Sequence, residues 1–398
     1  MKKILIVNSD FSGGGIKQSL INLLYNLDGS QYSIDLLLFK DSNIAKNILK
    51  MRNVSIIKEP MLMNLYSENI KKIFQERRYF HFILSSFIKA LVRVFGREVI
   101  FKVLLSFTPR SANYDTAISF TNDIWRGQKP IHYTGVNAFV LTCVEAKNKA
   151  SWIHNDPYRL GLTEIIATKE YEKFNIIVNV SSSCKEKFDK IVPQFRHKSH
   201  VINNLTDFSK IYDLAGEENP YISGIVNIVT VGRLSNEQKR IDKIINCCCN
   251  LKSSGCRGFR WHLIGDGPDR KWLQKLSLDK GTSDVLEFHG QKNNAFPYIK
   301  YADVLVQTSD YEAYSMVLIE ALALKTPVIC TNYDSAKEII KDGLNGIIVD
   351  IEGHQLHELL CKIVHESDYI SKIKEYINAN PVTNETALQK FHEIIGAN

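Results

Sequence analysis

The chain has 398 residues, of which 44% are hydrophobic and 23% charged, and its formal net charge is +7. The length suits two domains, and the composition excludes a disordered or collagen-like chain. The eight cysteines include no CxxC pair and no metal-like spacing, so no disulfide or zinc framework is legible in them.

The opening MKKILIVNSD carries an apolar run of only Ile4 to Val7, too short for a signal-peptide core. It reads as a buried first strand, Lys3–Val7. No apolar run reaches membrane-span length. SGGGIKQSLINLL follows from Ser12, and Gly13 to Gly15 open a helix. Without side chains the backbone can approach a ligand, and a helix N-terminus favours an anion. The pattern is neither GxGxxG nor a P-loop, and a tight strand-to-helix turn explains it as well. Further strands are predicted at Ile34–Phe39 and Val54–Ile57.

Residues 68–105 break the alternation and read as one or two helices. They hold Lys71, Lys72, Arg77, Arg78, Lys89, Arg93, Arg97 and Lys102 against Glu68, Glu76 and Glu98. Lys89, Arg93 and Arg97 share one helical face. Phe80, Ile83, Phe87, Leu91 and Val94 make an apolar one. This pairing fits a helix lying on an anionic membrane surface, and equally a core helix with a solvated basic stripe.

Strands resume at Thr116–Phe120, Ser151–His154, Ile176–Val180 and His200–Ile202. ASWIHNDPY puts His154 and Asp156 just past one of them, where His154 either faces a crevice between domains or is structural. LTDFSKIYDLAGEENPYISG, from Leu205 to Gly224, is polar and contains Pro220, which marks a domain boundary. A second series follows at Asn227–Val231, Trp261–Ile264, Val285–Phe288, Val304–Gln307, Pro327–Cys330 and Gly346–Val349. Continuous apolar strands separated by helices predict an α/β fold of two doubly wound, Rossmann-like domains with parallel sheets.

Three motifs of the second series carry chemistry. In VGRLSNEQKRIDKII, Arg233 and Lys239 follow the first strand and together can neutralise a diphosphate; solvated surface cations are the bland alternative. Cys247, Cys248 and Cys249 come next on a helical stretch and read as buried or neutral thiols in a reducing cytosol. In LIGDGPD, Gly265 and Gly267 permit close approach to a flat ligand such as a base. In SDYEAYSMVLIEALALKTPVI, Glu312 reads as a loop residue and Glu320 as a helical one. The helix start at Ser315, Met316 and Val317 offers amides to a phosphate, while carboxylates accept hydrogen bonds from sugar hydroxyls.

Taken together, SGGGIKQSL, YDTAISF, SWIHND, VGRLSNEQKRID, LIGDGP and the E-x7-E stretch resemble the retaining glycosyltransferases of family 4, of GT-B fold and surface-polysaccharide type. The resemblance covers nearly the whole chain and is most specific in the second half. It implies a GT-B architecture of two Rossmann-like domains facing each other across a crevice. Residues 1–205 would be an acceptor-binding domain with a basic amphipathic insertion at 68–105. Residues 206–380 would bind the nucleotide-sugar donor, and a helix within 381–398 would return to the first domain.

The resemblance further implies that Arg233 and Lys239 hold the donor diphosphate and that Glu320 binds the ribose. Glu312 would face hydroxyls of the donor sugar, supported by amides near Ser315, Met316 and Val317. Gly265, Gly267 and Pro268 would line the base pocket, Gly14 and Gly15 would approach donor phosphate or acceptor, and His154 would lie near the donor sugar. The catalytic set is then Glu312, His154, Arg233 and Lys239. The loop between Arg233 and Lys239 is one residue longer than the commonest family form, which brings Arg240 in as a substitute for Lys239. Ala313 stands where the family usually has Gly, and Lys325 replaces a common Gly.

The expected protein is a retaining hexosyltransferase of capsule and cell-envelope polysaccharide synthesis. It would use no metal and no cofactor, with a UDP-sugar as co-substrate; the chain has no D-x-D motif. The expected acceptor is a glycan or lipid-linked oligosaccharide. Expected partners include an anionic membrane surface through 68–105 and no nucleic acid, at a cytoplasmic location peripheral on the inner face of the plasma membrane. The alternatives are a non-catalytic sugar-nucleotide-binding subunit of a polysaccharide assembly complex, and a nucleotide-sugar epimerase of the same fold. The epimerase would need acid/base carboxylates in the first domain.

Overall fold

A computed structural model describes residues 1–9, 14–39, 53–57, 70–216, 218–366 and 368–396. The segment Ser12–Gly13 and the part of the basic stretch before residue 70 lie outside these residues. The chain divides into two compact units: Met1–Leu205 with Glu385–Asn398, and Thr206–Asn384.

The first unit contains β1 (Lys2–Asn8), β2 (Tyr32–Leu38), β3 (Val54–Ile57), β4 (Ser111–Ser119), β5 (Ile124–Arg126), β6 (Lys129–His132), β7 (Val144–Ile153), β8 (Ile176–Asn179) and β9 (Ser199–Val201). Seven of these form one sheet in the order β3-β2-β1-β4-β7-β8-β9. Every pairing in it is parallel. Ile4 to Val7 of β1 are fully buried, as expected for a central strand covered on both faces. β5 and β6 are a separate antiparallel hairpin turning at Gly127, whose φ is 57°.

The helix Glu385–Ile394 belongs to this unit. Phe391 is fully buried and meets the Tyr32 ring edge-on at 5.7 Å, while His392 Nδ1 lies 2.6 Å from the Tyr32 hydroxyl. Phe391 also packs 6.2 Å from Trp152.

The second unit contains β10 (Val226–Val231), β11 (Phe259–Ile264), β12 (Leu286–Gly290), β13 (Val304–Gln307), β14 (Val328–Thr331) and β15 (Gly346–Val349). Its order is β12-β11-β10-β13-β14-β15, all parallel. The order runs outward to one edge, returns to the middle and proceeds to the other. β10 and β13 are therefore neighbours whose following connections leave in opposite directions. That arrangement opens a crevice at their carboxyl ends.

The helix Met316–Ala323 is the most apolar of this unit and buries Leu318, Ala321, Leu322 and Ala323. Its end is a Schellman motif. Thr326 N–H donates to Ala321 O (2.9 Å) and Lys325 N–H to Leu322 O (3.1 Å), with Lys325 at φ 63°. A left-handed residue at that position favours glycine. Lys325→Gly is therefore expected to raise stability by about 1 kcal/mol, measured by urea denaturation at an unchanged m-value. Ala313, by contrast, is not among the described residues with positive φ, so its loop needs no glycine.

Candidate functional site

At the carboxyl ends of β10 and β13 lies a small open pocket lined by Thr230, Val231, Gly232, Arg233, Leu234, Lys239, Ile241, Gln307, Thr308 and Ser309. Arg233 is exposed, and its side chain makes no hydrogen bond or ion pair among the described residues. Lys239 is half-buried, and its Nζ sits 2.5 Å from Glu312 Oε1. The same oxygen accepts a bond from Ser309 Oγ (2.7 Å), and Oε2 accepts one from Gln238 Nε2 (3.1 Å). The residue expected to meet a sugar and the residue expected to meet a diphosphate are thus ion-paired to each other.

Local bonding holds the 308–315 loop in place. Thr308 Oγ1 donates to the carbonyls of Lys239 (2.9 Å) and Arg240 (3.1 Å), and Asp310 N–H to Gln238 O (2.9 Å). Ser335 Oγ donates to Glu312 O at 2.9 Å, and Thr331 Oγ1 to Ser309 O at 2.5 Å. Asp310 accepts from Arg240 (2.9 Å) and Lys243 (2.5 Å).

Arg240 also forks onto both oxygens of Asp242 at 3.0 Å, and these partners hold its guanidinium well above its ordinary pKa. Arg240 sits at φ 48°. Of the two candidate diphosphate cations, Lys239 lines the cavity and Arg240 is committed to carboxylates.

Ser315 precedes the helix Met316–Ala323 without capping it. Its hydroxyl instead accepts from Gln307 Nε2 at 3.0 Å, and Gln307 Oε1 accepts from Tyr333 Oη at 2.7 Å. The first-turn amides at Met316 and Val317 are left without a side-chain cap, which is the state an anion site requires.

Glu320, on the same helix, is half-buried, and its side chain makes no hydrogen bond or ion pair among the described residues. Burial pushes its carboxyl up to about 7. A carboxyl with a raised folded pKa keeps its full stabilisation below the unfolded value and loses it as pH rises through the folded one. Glu320→Gln should therefore leave Tm nearly unchanged at about pH 4.5 and raise it at about pH 8. Equal shifts at both would show that Glu320 is not buried as a titrating group.

Gly265 and Gly267 were expected to open space for a flat ligand, but the neighbouring loop occupies the space beside them. A Cβ on Gly265 would lie 1.8 Å from Gly232 O, and one on Gly267 would lie 2.3 Å from Leu234 O. Their lack of side chains lets the Asp266 turn pack against the Gly232–Leu234 loop, as Leu234 N–H donating to Asp266 O at 3.0 Å confirms. Pro268 follows in the same turn.

In the first unit, Gly14 precedes the helix Gly15–Asn26 at φ 90° and ψ −176° with no side-chain cap. Only glycine adopts that conformation readily. His154 follows β7 and is only 7% exposed; its ring lies 4.3 Å from that of Phe120. Burial drives its imidazole down to about 3, and Nε2 has no partner among the described residues. His154 is therefore a neutral polar contact at physiological pH, not an imidazolium acid.

Sequence reasoning missed a carboxylate pair here. Asp123 accepts from Thr134 Oγ1 at 2.7 Å and is pushed upward by burial, with its Oδ2 without a partner among the described residues. Glu170 is pushed up to about 7 by burial and by Asp123. Gln238 and Ser309, which hold Glu312, were missed as well. Single uncharged side chains, Gln238 on the one-turn helix Asn236–Lys239 and Ser309 in a loop, leave no spacing pattern.

Residues 224–379 match the family model described as glycosyl transferases group 1. The lipopolysaccharide core biosynthesis glycosyltransferase LpsE of Rhizobium meliloti is 30% identical over 159 residues, 39% of this chain and 44% of that protein. The alpha-monoglucosyldiacylglycerol synthase of Acholeplasma laidlawii is 33% identical over 139 residues, 34% of this chain and 33% of that protein. The chain thus spans less than half the length of these curated relatives. Among solved structures, Anabaena HepE in complex with UDP and glucose superposes with a TM-score of 0.70 at 16% identity, covering 100% of both chains. The fold is of the GT-B type, with two Rossmann-like parallel sheets in one chain.

Proposed function

We propose that the protein is a retaining, metal-independent glycosyltransferase that moves a hexose from a UDP-sugar to a glycan or lipid-linked acceptor in cell-surface polysaccharide synthesis. The observation that carries this reading is the cavity at the β10/β13 switch point, with an unpaired Arg233 and with Lys239 paired to Glu312 at its side. The relatives' names and the UDP and glucose of HepE support it.

In this mechanism, breaking the bond between anomeric carbon and phosphate puts negative charge on the diphosphate. Lys239 and the uncapped amides at Met316 and Val317 are held in advance to stabilise that charge, and the exposed Arg233 forks onto it when the donor binds. Glu312 orients sugar hydroxyls and is not a nucleophile. The departing phosphate accepts the acceptor hydroxyl's proton on the face it leaves, which retains the anomeric configuration. Glu320 takes the ribose.

The test is a panel of nucleotide sugars assayed for donor turnover, with product configuration read by NMR. Turnover of a UDP-sugar that is lost in Arg233→Ala is the expected result. No turnover of any donor, or turnover indifferent to Arg233→Ala and Glu312→Ala, rejects the reading.

Membrane attachment is part of the proposal. On the helix Tyr79–Phe95, Phe80, Ile83, Phe87 and Val94 are 58–73% exposed, while Leu91 packs on the core. Arg93 on the same helix is exposed, and so is Arg97, which opens the next helix, Arg97–Ser106, after Gly96 and therefore does not continue the face of Lys89 and Arg93. Exposed aromatic and aliphatic side chains flanked by arginines match an anionic bilayer surface. Binding to anionic liposomes is expected to weaken with salt and to fall in Phe80→Ser/Phe87→Ser. Equal binding to neutral and anionic vesicles, or none to either, removes this part.

A further inference from the structure

Away from the cavity, on one face of β11 and β12, three side chains converge. His262 Nδ1 lies 2.9 Å from His289 Nε2 and 3.6 Å from Glu287 Oε2, and His289 Nε2 lies 3.2 Å from the same oxygen. The parallel register sets this up. His262 is paired with Glu287 across the two strands, and Glu287 and His289 are two apart on β12, so all three project to one side.

The surrounding bonds determine which atoms point inward. Asn227 Nδ2 donates to the carbonyls of Ile222 (3.2 Å) and Ile225 (3.1 Å), so its Oδ1 must face His262 Nε2, 3.2 Å away. His262 Nε2 is therefore the protonated nitrogen, and Nδ1 presents a lone pair. Arg260 donates to Glu287 Oε1 at 2.6 Å, which turns Oε2 toward the two rings. An outer shell that fixes tautomer and carboxylate orientation in this way is characteristic of metal ligands.

Bonds of about 2.1 Å to a common ion place neighbouring ligand atoms about 3.0 Å apart at right angles and about 3.4 Å apart in a tetrahedron. The three observed separations bracket those values. His262 is buried, and Glu287 and His289 are half-buried, so an ion can enter from the Glu287 side.

We propose that His262, Glu287 and His289 form a binding site for a divalent transition ion, zinc by preference, that clips β11 to β12 outside the reaction centre. Two imidazoles and one carboxylate select zinc, cobalt or nickel over magnesium or calcium. The ion takes the place of the proton that His289 Nε2 donates to His262 Nδ1 in the metal-free protein, and His289 then carries its proton on Nδ1, so both rings ligate as neutral imidazoles. The positive charge of Arg260 opposes the ion, but that guanidinium is already neutralised through Glu287 Oε1.

A second cluster, Cys256, Cys361 and His365, also has its ligand atoms within 4.8 Å of one another, so the experiment must separate the two. The whole chain, stripped with chelator, is titrated with Co²⁺ and Zn²⁺ while absorbance and Tm are followed. The expected result is one equivalent bound without a thiolate-to-cobalt charge-transfer band, together with a rise in Tm. Both signals should weaken by about tenfold or more in Glu287→Gln and in His289→Gln, and persist in Cys256→Ser/Cys361→Ser. Glu287→Gln preserves shape, and its circular dichroism in chelator reports that it folds. No binding at micromolar free metal, a thiolate band lost with the cysteines, or an affinity unchanged in both the Glu287 and His289 variants overturns the proposal.

Discussion

Lys239→Ala is expected to lower kcat/KM for the donor by about 10²–10³-fold, the usual cost of removing one preorganised group from developing negative charge. The stability cost should be moderate. Glu312 keeps its bonds from Ser309 and Gln238, but the two side chains are mostly buried, so a carboxylate left without its cation costs about 1–3 kcal/mol. The pairing of Lys239 with Glu312 makes the comparison of variants informative. If Lys239 served only to hold Glu312, then Lys239→Ala, Glu312→Ala and the double variant would be equally impaired. If the two act on different parts of the donor, Lys239→Ala raises KM as well as lowering kcat, while Glu312→Ala acts mainly on kcat, and the double variant is worse than either. Full activity in Lys239→Ala would falsify its assignment to the diphosphate.

The largest stability effect is expected at Gly265. A methyl group there meets a backbone oxygen at 1.8 Å, and the residue sits at φ 144°. The clash is with main chain of the Gly232 loop, which is itself tied to the end of β11 by Gly232 N–H donating to Ile264 O at 3.0 Å. No flexible side chain can move aside. Gly265→Ala should cost about 4 kcal/mol or more, seen as loss of soluble protein or a collapse of Tm. Gly14→Ala is the contrast: among the described residues nothing lies within 4 Å of its added Cβ, so it bears only the backbone strain, about 1–3 kcal/mol. A near-native Tm for Gly265→Ala would mean that the two loops are not packed as described.

Much of the architecture was legible because buried parallel strands are uninterrupted apolar runs. Val54–Ile57, Val304–Gln307 and Gly346–Val349 appear in the structure with the bounds read from sequence. The β5/β6 hairpin was missed because Ile124–Arg126 and Lys129–His132 are short, and the second contains Pro130, so no long alternation announces them. β4 begins earlier than expected, at Ser111, because its first residues are polar and leave no hydrophobic signature.

The site was legible in its residue types and less so in its relations. Glu312 in a loop and Glu320 on a helix followed from the pattern around them. That Lys239, 73 positions away, would neutralise Glu312 did not, because pairing across strands depends on sheet order. The same holds for His262 with His289, and for Cys256 with Cys361. Sequence spacing expresses local chemistry, whereas these sets are assembled by topology.

The helix Glu385–Ile394 has a consequence in time. The second unit, Thr206–Asn384, is continuous, and its two ends are stitched together by Asn384 Nδ2 donating to Thr206 O at 2.7 Å and Thr206 N–H donating to Asn384 Oδ1 at 3.0 Å. The first unit is not continuous. Tyr32 and Trp152 wait for Phe391, which is synthesised after the whole of the second unit. A growing chain thus completes its second unit before its first, the reverse of the usual N-terminal-first order. Until then the Phe391 pocket is an exposed apolar surface, and that is where a chaperone would be needed.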